Sequence, residues 1–160
     1  MTKCQHNVDV HIYDQQSDLS ISKLQVEKLV KECLKYEGVE CDEVSIQFVD
    51  TDIIKDLHLR YFDDGSTTDC ISFPIDQEET TEYRVLGEVF VCPKTGLDYS
   101  SAHHSDPYRE ISLYIIHGLL HLMGYDDIGD EEPVMREAEQ RHMDHLQSKS
   151  LLLKEPSCTS

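Results

Sequence analysis

The stretch PYREISLYIIHGLLHLMG, residues 107–124, decides how the rest of the chain must pack. Pro107 stands where a helix starts, with Ser105 or Asp106 as its cap, because the first helical position has no use for an N–H. Ile111, Leu113, Tyr114, Ile115, Ile116, Leu119, Leu120, Leu122 and Met123 make this helix apolar nearly all round. Such a helix has no face to give to water and belongs in the core. Gly124 is the expected left-handed residue just past its end.

Elements that pack around this helix are legible on either side. Val8, Val10 and Ile12 alternate with Asp9, His11 and Tyr13, which predicts a half-buried strand over 7–14. A helix follows to about Tyr36, capped by Ser20 or Ser22, with Leu24, Val26, Leu29, Val30, Cys33 and Leu34 at helical spacing. VSIQFVD (44–50) is a second strand. Thr51 or Asp52 caps a short helix carrying Ile53, Ile54, Leu57 and Tyr61. After a loop at 63–69 come a short strand CISFP (70–74), an acidic loop (76–82) and a strand over YRVLGEVFVC (83–92). A last amphipathic helix falls within 126–148. The order β-α-β-α-β-β-α-α predicts an α+β domain over 1–148, a mixed sheet packed with helices around the buried one. Residues 149–160 are expected to form a mobile tail.

The chain has 160 residues, enough for one real core, and a formal net charge of −18. That charge repels polyanions at long range, so a nucleic-acid ligand needs a local basic patch or a basic partner. Lys23, Lys28, Lys31 and Lys35 line the outer side of the first helix and are the candidate patch. Six cysteines are scattered without a CxxC pair, which argues against a four-cysteine zinc site and for a reducing compartment. No apolar run approaches a membrane span, and the first residues have no signal-like apolar core; the expected location is the cytosol.

Chemistry concentrates in HGLLHLMGYDD, residues 117–127. His117 and His121 are four apart, so they stand on one helix face about 6 Å apart along the axis and can bind one ion. Gly124 turns the chain back, and Asp127 closes a third ligand position. The pattern H-x3-H-x2-G-x2-D leaves a coordination position open, as a catalytic metal needs. Gly118 occupies the place of the glutamate that serves zinc proteases as general base, so peptide hydrolysis by this helix alone is not expected. Glycine also costs about 1 kcal/mol against alanine inside a helix, which points to a close backbone approach. Two histidines and a carboxylate suit Zn2+ but also other divalent transition metals.

These residues resemble the HGxLHLxGYDH signature of the YbeY family, metal-dependent endoribonucleases of ribosomal RNA maturation. TTDCISFP (67–74) is similar to that family's PTDVLSFP segment, and LGEVFVC (86–92) to its LGDIVIC strand. The resemblance spans roughly residues 44–146. It implies a four-stranded mixed sheet with a metal cleft. It also implies hydrolysis of single-stranded RNA, with processing of the 3′ end of small-subunit rRNA and a part in ribosome quality control. The implied metal ligands are His117, His121 and Asp127, the last standing where the family has histidine. Phe62 stands where the family has an arginine, His58 where it has an asparagine, and Glu88 where it has an aspartate.

In that setting Glu88 or Asp69 is the candidate for orienting water, and Arg60, Arg84 or Lys94 for neutralising the phosphate. Asp126 orients a histidine or caps the turn. Ser72 is read as a strand-end residue, His103 and His104 as loop residues, and His142 and His145 as lying on the exposed face of the last helix. The competing reading is a ribosome-associated assembly factor whose metal is mainly structural.

Overall fold

The computed structural model describes residues 7–62, 68–75, 83–125 and 131–156. Its sheet has the strand order β1-β2-β4-β3, built from β1 (Asp9–Asp14), β2 (Glu43–Phe48), β3 (Cys70–Pro74) and β4 (Val85–Val91). β1 pairs parallel to β2 and β2 parallel to β4, while β3 runs antiparallel to β4, so the sheet is mixed as expected. The helices are α1 (Lys23–Glu37), α2 (Thr51–Phe62), α3 (Pro93–His103), α4 (Pro107–Leu122) and α5 (Glu132–Ser148).

α4 is the buried helix foreseen from its composition. Asp106 caps it, its side chain accepting from Tyr108 N at 3.0 Å, and Pro107 takes the first turn. Ile111, Ile115, Leu119 and Leu120 are at most 1% exposed. Each such side chain contributes roughly 1.5–3 kcal/mol by leaving water. They pack with α1 (Val26, Leu29, Val30), α5 (Met135, Leu146) and the inner sheet face (Val44, Ile46, Phe48, Val89, Val91) in one core. A second, smaller core lies across the sheet. There Ile54 and Leu57 of α2 meet Ile71, Phe73 and Phe90. The edge strand β3 is therefore flanked by α4 on one face and α2 on the other.

Several local expectations change. Residues 93–103 form α3, which went unread because its sequence, PKTGLDYSSAH, has little amphipathic pattern. Its signal is smallness: Gly96 packs so tightly that an added Cβ would sit 2.7 Å from Ile111 Cδ1. The cap of α2 is Asp50, whose carboxylate accepts from Ile53 N at 2.9 Å, rather than Thr51 or Asp52. Of that helix only Ile54 is buried, and Tyr61 is largely exposed. Leu24, expected in the α1 core stripe, is 60% exposed.

The segment expected to trail from 149 instead lies back on the protein as far as 156. Leu153 is buried, and its N–H donates to Ser112 Oγ at 2.9 Å. Lys154 N donates to Gln25 Oε1 at 3.0 Å. Ser112 is the polar residue inside the apolar helix that makes this possible: its hydroxyl donates back to Tyr108 O and accepts from Leu153. Cys33, Cys41 and Cys92 are buried free thiols. Burial pushes the Cys33 thiol far above its ordinary pKa, so it behaves as a core hydrophobe.

Candidate active site

α4 approaches the sheet most closely at Gly118. A Cβ there would lie 2.4 Å from Val89 Cγ1 and 3.1 Å from Ser72 Oγ. The residue that a zinc protease would use as a base is thus the point where helix and sheet touch. Ser72 completes the contact by donating to Gly118 O at 3.0 Å, a structural task that matches the strand-end reading.

The end of α4 then fixes the second histidine. Gly124 has φ +106°, a conformation that side chains rarely adopt. The turn brings Tyr125 N back to Leu120 O at 2.9 Å and places Tyr125 O 3.1 Å from His121 Nδ1. A carbonyl only accepts, so His121 Nδ1 carries the hydrogen. His117 Nδ1 meets the Glu139 carboxylate of α5, which also accepts from Arg136 Nη1 at 2.7 Å. Burial pushes the Glu139 carboxyl up, but the hydrogen bonds from His117 and Arg136 outweigh it and hold it below its ordinary value. Glu139 is therefore an anion, and His117 Nδ1 donates to it.

With both Nδ1 atoms donating, any lone pair on either ring lies on Nε2. These two atoms face each other at 3.0 Å, with the rings nearly perpendicular. Two nitrogens at that distance are held by a shared proton or by a metal cation between them. A carboxylate–histidine pairing of the kind made by Glu139 is also how metal-ligating histidines are oriented. Among the described residues no group of three His, Cys, Asp or Glu side chains is arranged to hold a metal ion. Asp127 and its neighbour Asp126 lie outside the described residues.

The histidines open into a cavity of about 590 Å³. His58 and Phe62 of α2, Asp69, and Leu113 and Tyr114 of α4 also line it. Of the sequence-derived candidates, the structure brings Asp69 together with the histidine pair and leaves the others elsewhere. Asp69 accepts from Cys70 N at 2.7 Å while lining the cavity. Glu88 sits on the opposite sheet face. It precedes the inward-facing Val89, so alternation turns it the other way, and Gln47 Nε2 donates to it at 3.4 Å. Arg60 points along α2 to Asp56, 3.1 Å away, and is mostly exposed. Arg84 donates to Glu40 O and Lys94 pairs with Asp98; neither lines the cavity. His103 and His104 close the end of α3 and also lie off the cavity.

Two groups of residues on α5 were misjudged from the sequence. His142 is 1% exposed and donates through Nε2 to Glu37 Oε1 at 2.8 Å, while His145 Nε2 is 2.7 Å from Glu32 Oε2. Neither is on the exposed face. Glu139 was not singled out at all. The signal for it was present: Met135, Ala138, His142 and Leu146 mark the inner stripe of α5, and Glu139 falls within it. A carboxylate on a buried stripe needs a partner, and His117 is that partner.

The fold is that of an α+β protein with a cleft between α2, α4 and α5 beside the edge strand. The family model described as Endoribonuclease YbeY matches residues 11–147. A protein named Endoribonuclease YbeY from Protochlamydia amoebophila is 49% identical over 148 residues, covering 92% of this chain and 99% of that one. Its namesake from Chlamydia pneumoniae is 36% identical over 154 residues, covering 93% and 98%. The solution structure of TM1509 from Thermotoga maritima shares the fold, with a TM-score of 0.61 at 23% identity over 93% of this chain and 99% of that chain. The chain belongs to the YbeY family.

Proposed function

We propose that this chain hydrolyses phosphodiester bonds within single-stranded RNA with the help of a divalent cation held by His117, His121 and Asp127. The carrying observation is the pair of Nε2 atoms facing each other at 3.0 Å while both Nδ1 atoms are engaged. Two nitrogens bound tetrahedrally to one zinc ion at about 2.0–2.1 Å stand roughly 3.3 Å apart, close to this spacing. The donor set suits Zn2+ first and other divalent transition metals next. A cation held there supplies Lewis acidity towards a phosphoryl oxygen and water.

The chain's own residues do the positioning. Glu139, anchored by Arg136, fixes the tautomer and orientation of His117; Tyr125 O does the same for His121. Asp69, which lines the cavity, is the carboxylate we assign to orienting the attacking water. Gly118 leaves room for the sheet and takes no part in proton transfer.

The family membership supports a wider setting: maturation of the 3′ end of small-subunit rRNA, ribosome quality control, and a cytoplasmic partner in the small ribosomal subunit. No helix among the described residues is long and apolar enough to cross a membrane. The test is cleavage of an end-labelled single-stranded RNA by zinc- or manganese-loaded protein beside His117→Ala. Metal-dependent cleavage that disappears in the variant is expected. Equal residual cleavage in both would leave the assembly-factor reading in its place.

A further inference from the structure

Phe62 and His58 stand one turn apart on α2 and line the cavity that holds the histidine pair. Their ring centroids are 5.5 Å apart, and Phe62 is 55% exposed. Tyr61 beside it spends its ring on Phe73, at 4.8 Å. Phe62 instead presents much of its ring to solvent at the wall of a cavity whose size suits a ligand.

The charges around the cavity offer little to a polyanion. Among the described lining residues the charged groups are Asp69, Glu139 and Arg136, and Arg136 is paired with Glu139. Arg60, the nearest cation on α2, is paired with Asp56 off the cavity. In a chain of net charge −18, a contact to the bases gives a substrate strand a hold beyond its phosphates. An aromatic face is such a hold: every base has a π-face, and stacking on it tolerates any sequence.

We infer that Phe62, backed by His58, is the stacking platform for one unpaired nucleobase of the RNA strand beside the bond to be cut. This rests on the proposed function and adds the substrate contact to it. A base inside a duplex has both faces covered, so the platform admits only a base already splayed out. Single-strand preference then follows from the platform as well as from the shape of the cleft. Phe62 is a specificity residue here and takes no part in bond breaking.

The test uses the full chain, loaded with zinc or manganese, and a single-stranded RNA with 2-aminopurine or an abasic residue placed at successive positions. Phe62→Ala is expected to raise KM about tenfold with kcat nearly unchanged. Phe62→Leu, which keeps the apolar bulk without the ring, should do the same, and Phe62→Tyr should restore KM. At one position the abasic RNA should weaken wild-type binding while leaving Phe62→Ala indifferent, and 2-aminopurine there should be quenched by wild type and Phe62→Tyr but not by Phe62→Ala or Phe62→Leu. Cleavage by wild type with the same KM in all three variants, or an abasic penalty equal in wild type and Phe62→Ala, overturns the platform and leaves the endoribonuclease reading standing. No binding or cleavage by wild type removes that reading and the platform with it.

Discussion

His117 and His121 on α4 and His142 and His145 on α5 stand at nearly the same helical spacing, and three of the four rings contact a carboxylate. Yet the pairs do opposite things. In the first, the Nδ1 atoms are anchored and the Nε2 atoms converge on each other at the wall of a cavity. In the second, the Nε2 atoms diverge, one to Glu37 and one to Glu32, and Tyr36 fills the space between: its ring stacks on His145 at 4.0 Å and meets His142 edge-on at 4.9 Å. A carboxylate partner is thus no mark of a site. What distinguishes a site is where the second nitrogen points.

The second pair still has a link to the first. Glu37 accepts from His142, from Arg141 Nη2 at 2.9 Å and from Tyr125 OH at 3.1 Å. Tyr125 is the residue whose carbonyl anchors His121. Burial pushes the Glu37 carboxyl up, but these hydrogen bonds hold it below its ordinary value. His142 moves the other way from a typical ion-paired histidine. Burial lowers its pKa, and the neighbouring Glu37 does not reverse the effect. Its Nδ1 has no hydrogen-bond partner among the described residues, so a proton there would be a buried, unpaired N–H. His142 is neutral.

The contrast can be broken most sharply at His117. His117→Ala should lower kcat/KM for single-stranded RNA by about a thousandfold or more, while Arg136 still pairs Glu139 and limits the loss of stability. A variant that melts early and cuts normally would mean that the two pairs have been assigned the wrong way round. Glu139→Gln keeps the shape and removes the anion that orients His117. Metal affinity or activity should fall by about 10- to 100-fold. Isothermal titration with zinc checks this without relying on turnover, and an unchanged affinity would make Glu139 merely structural.

His142→Ala should show the reverse profile. It removes a buried ring and leaves Glu37 with one donor fewer, at a cost of about 2 kcal/mol in denaturant unfolding, while cleavage below the melting temperature stays near wild type. Loss of cleavage without loss of stability would place His142 in the active site.

The smallest effect is in pH. Unfolded His142 takes a proton near pH 6.5, while the folded protein holds the group lower. Between those two values the unfolded chain binds more protons, so stability should decline as the pH drops below about 6.5. Glu37 acts further down. Its folded carboxyl is lowered, so its contribution is complete above its ordinary value of 4.5 and is lost as the pH falls through the folded value. Unfolding midpoints of wild type and His142→Gln at about pH 7.5 and 5.5 separate the two: a wild type as flat as the variant over that range refutes a neutral His142.

Local patterns carried far in this chain. The apolar run of α4 announced a central helix, Asp106 and Gly124 announced its ends, and i,i+4 spacing put His117 and His121 on one face. The strands were visible because alternation survives in each of them. α3 was not visible, because Gly96 and Ser100 are selected for closeness to α4 and leave no hydrophobic stripe. Leu153 was not visible either, since three leucines near a chain end look the same whether they dock or drift.

From the primary structure alone come the α+β class, the buried helix and the histidine pair, because each depends on residues within a few positions of one another. Glu139 against His117, Glu37 against His142 and the exile of Glu88 to the far sheet face required the folded chain, whereas the cleft position of Phe62 was implied by the family arginine it replaces. The former placements depend on which faces of distant elements meet. A carboxylate 22 positions from His117 acquires its role only when packing brings the two surfaces into hydrogen-bond range.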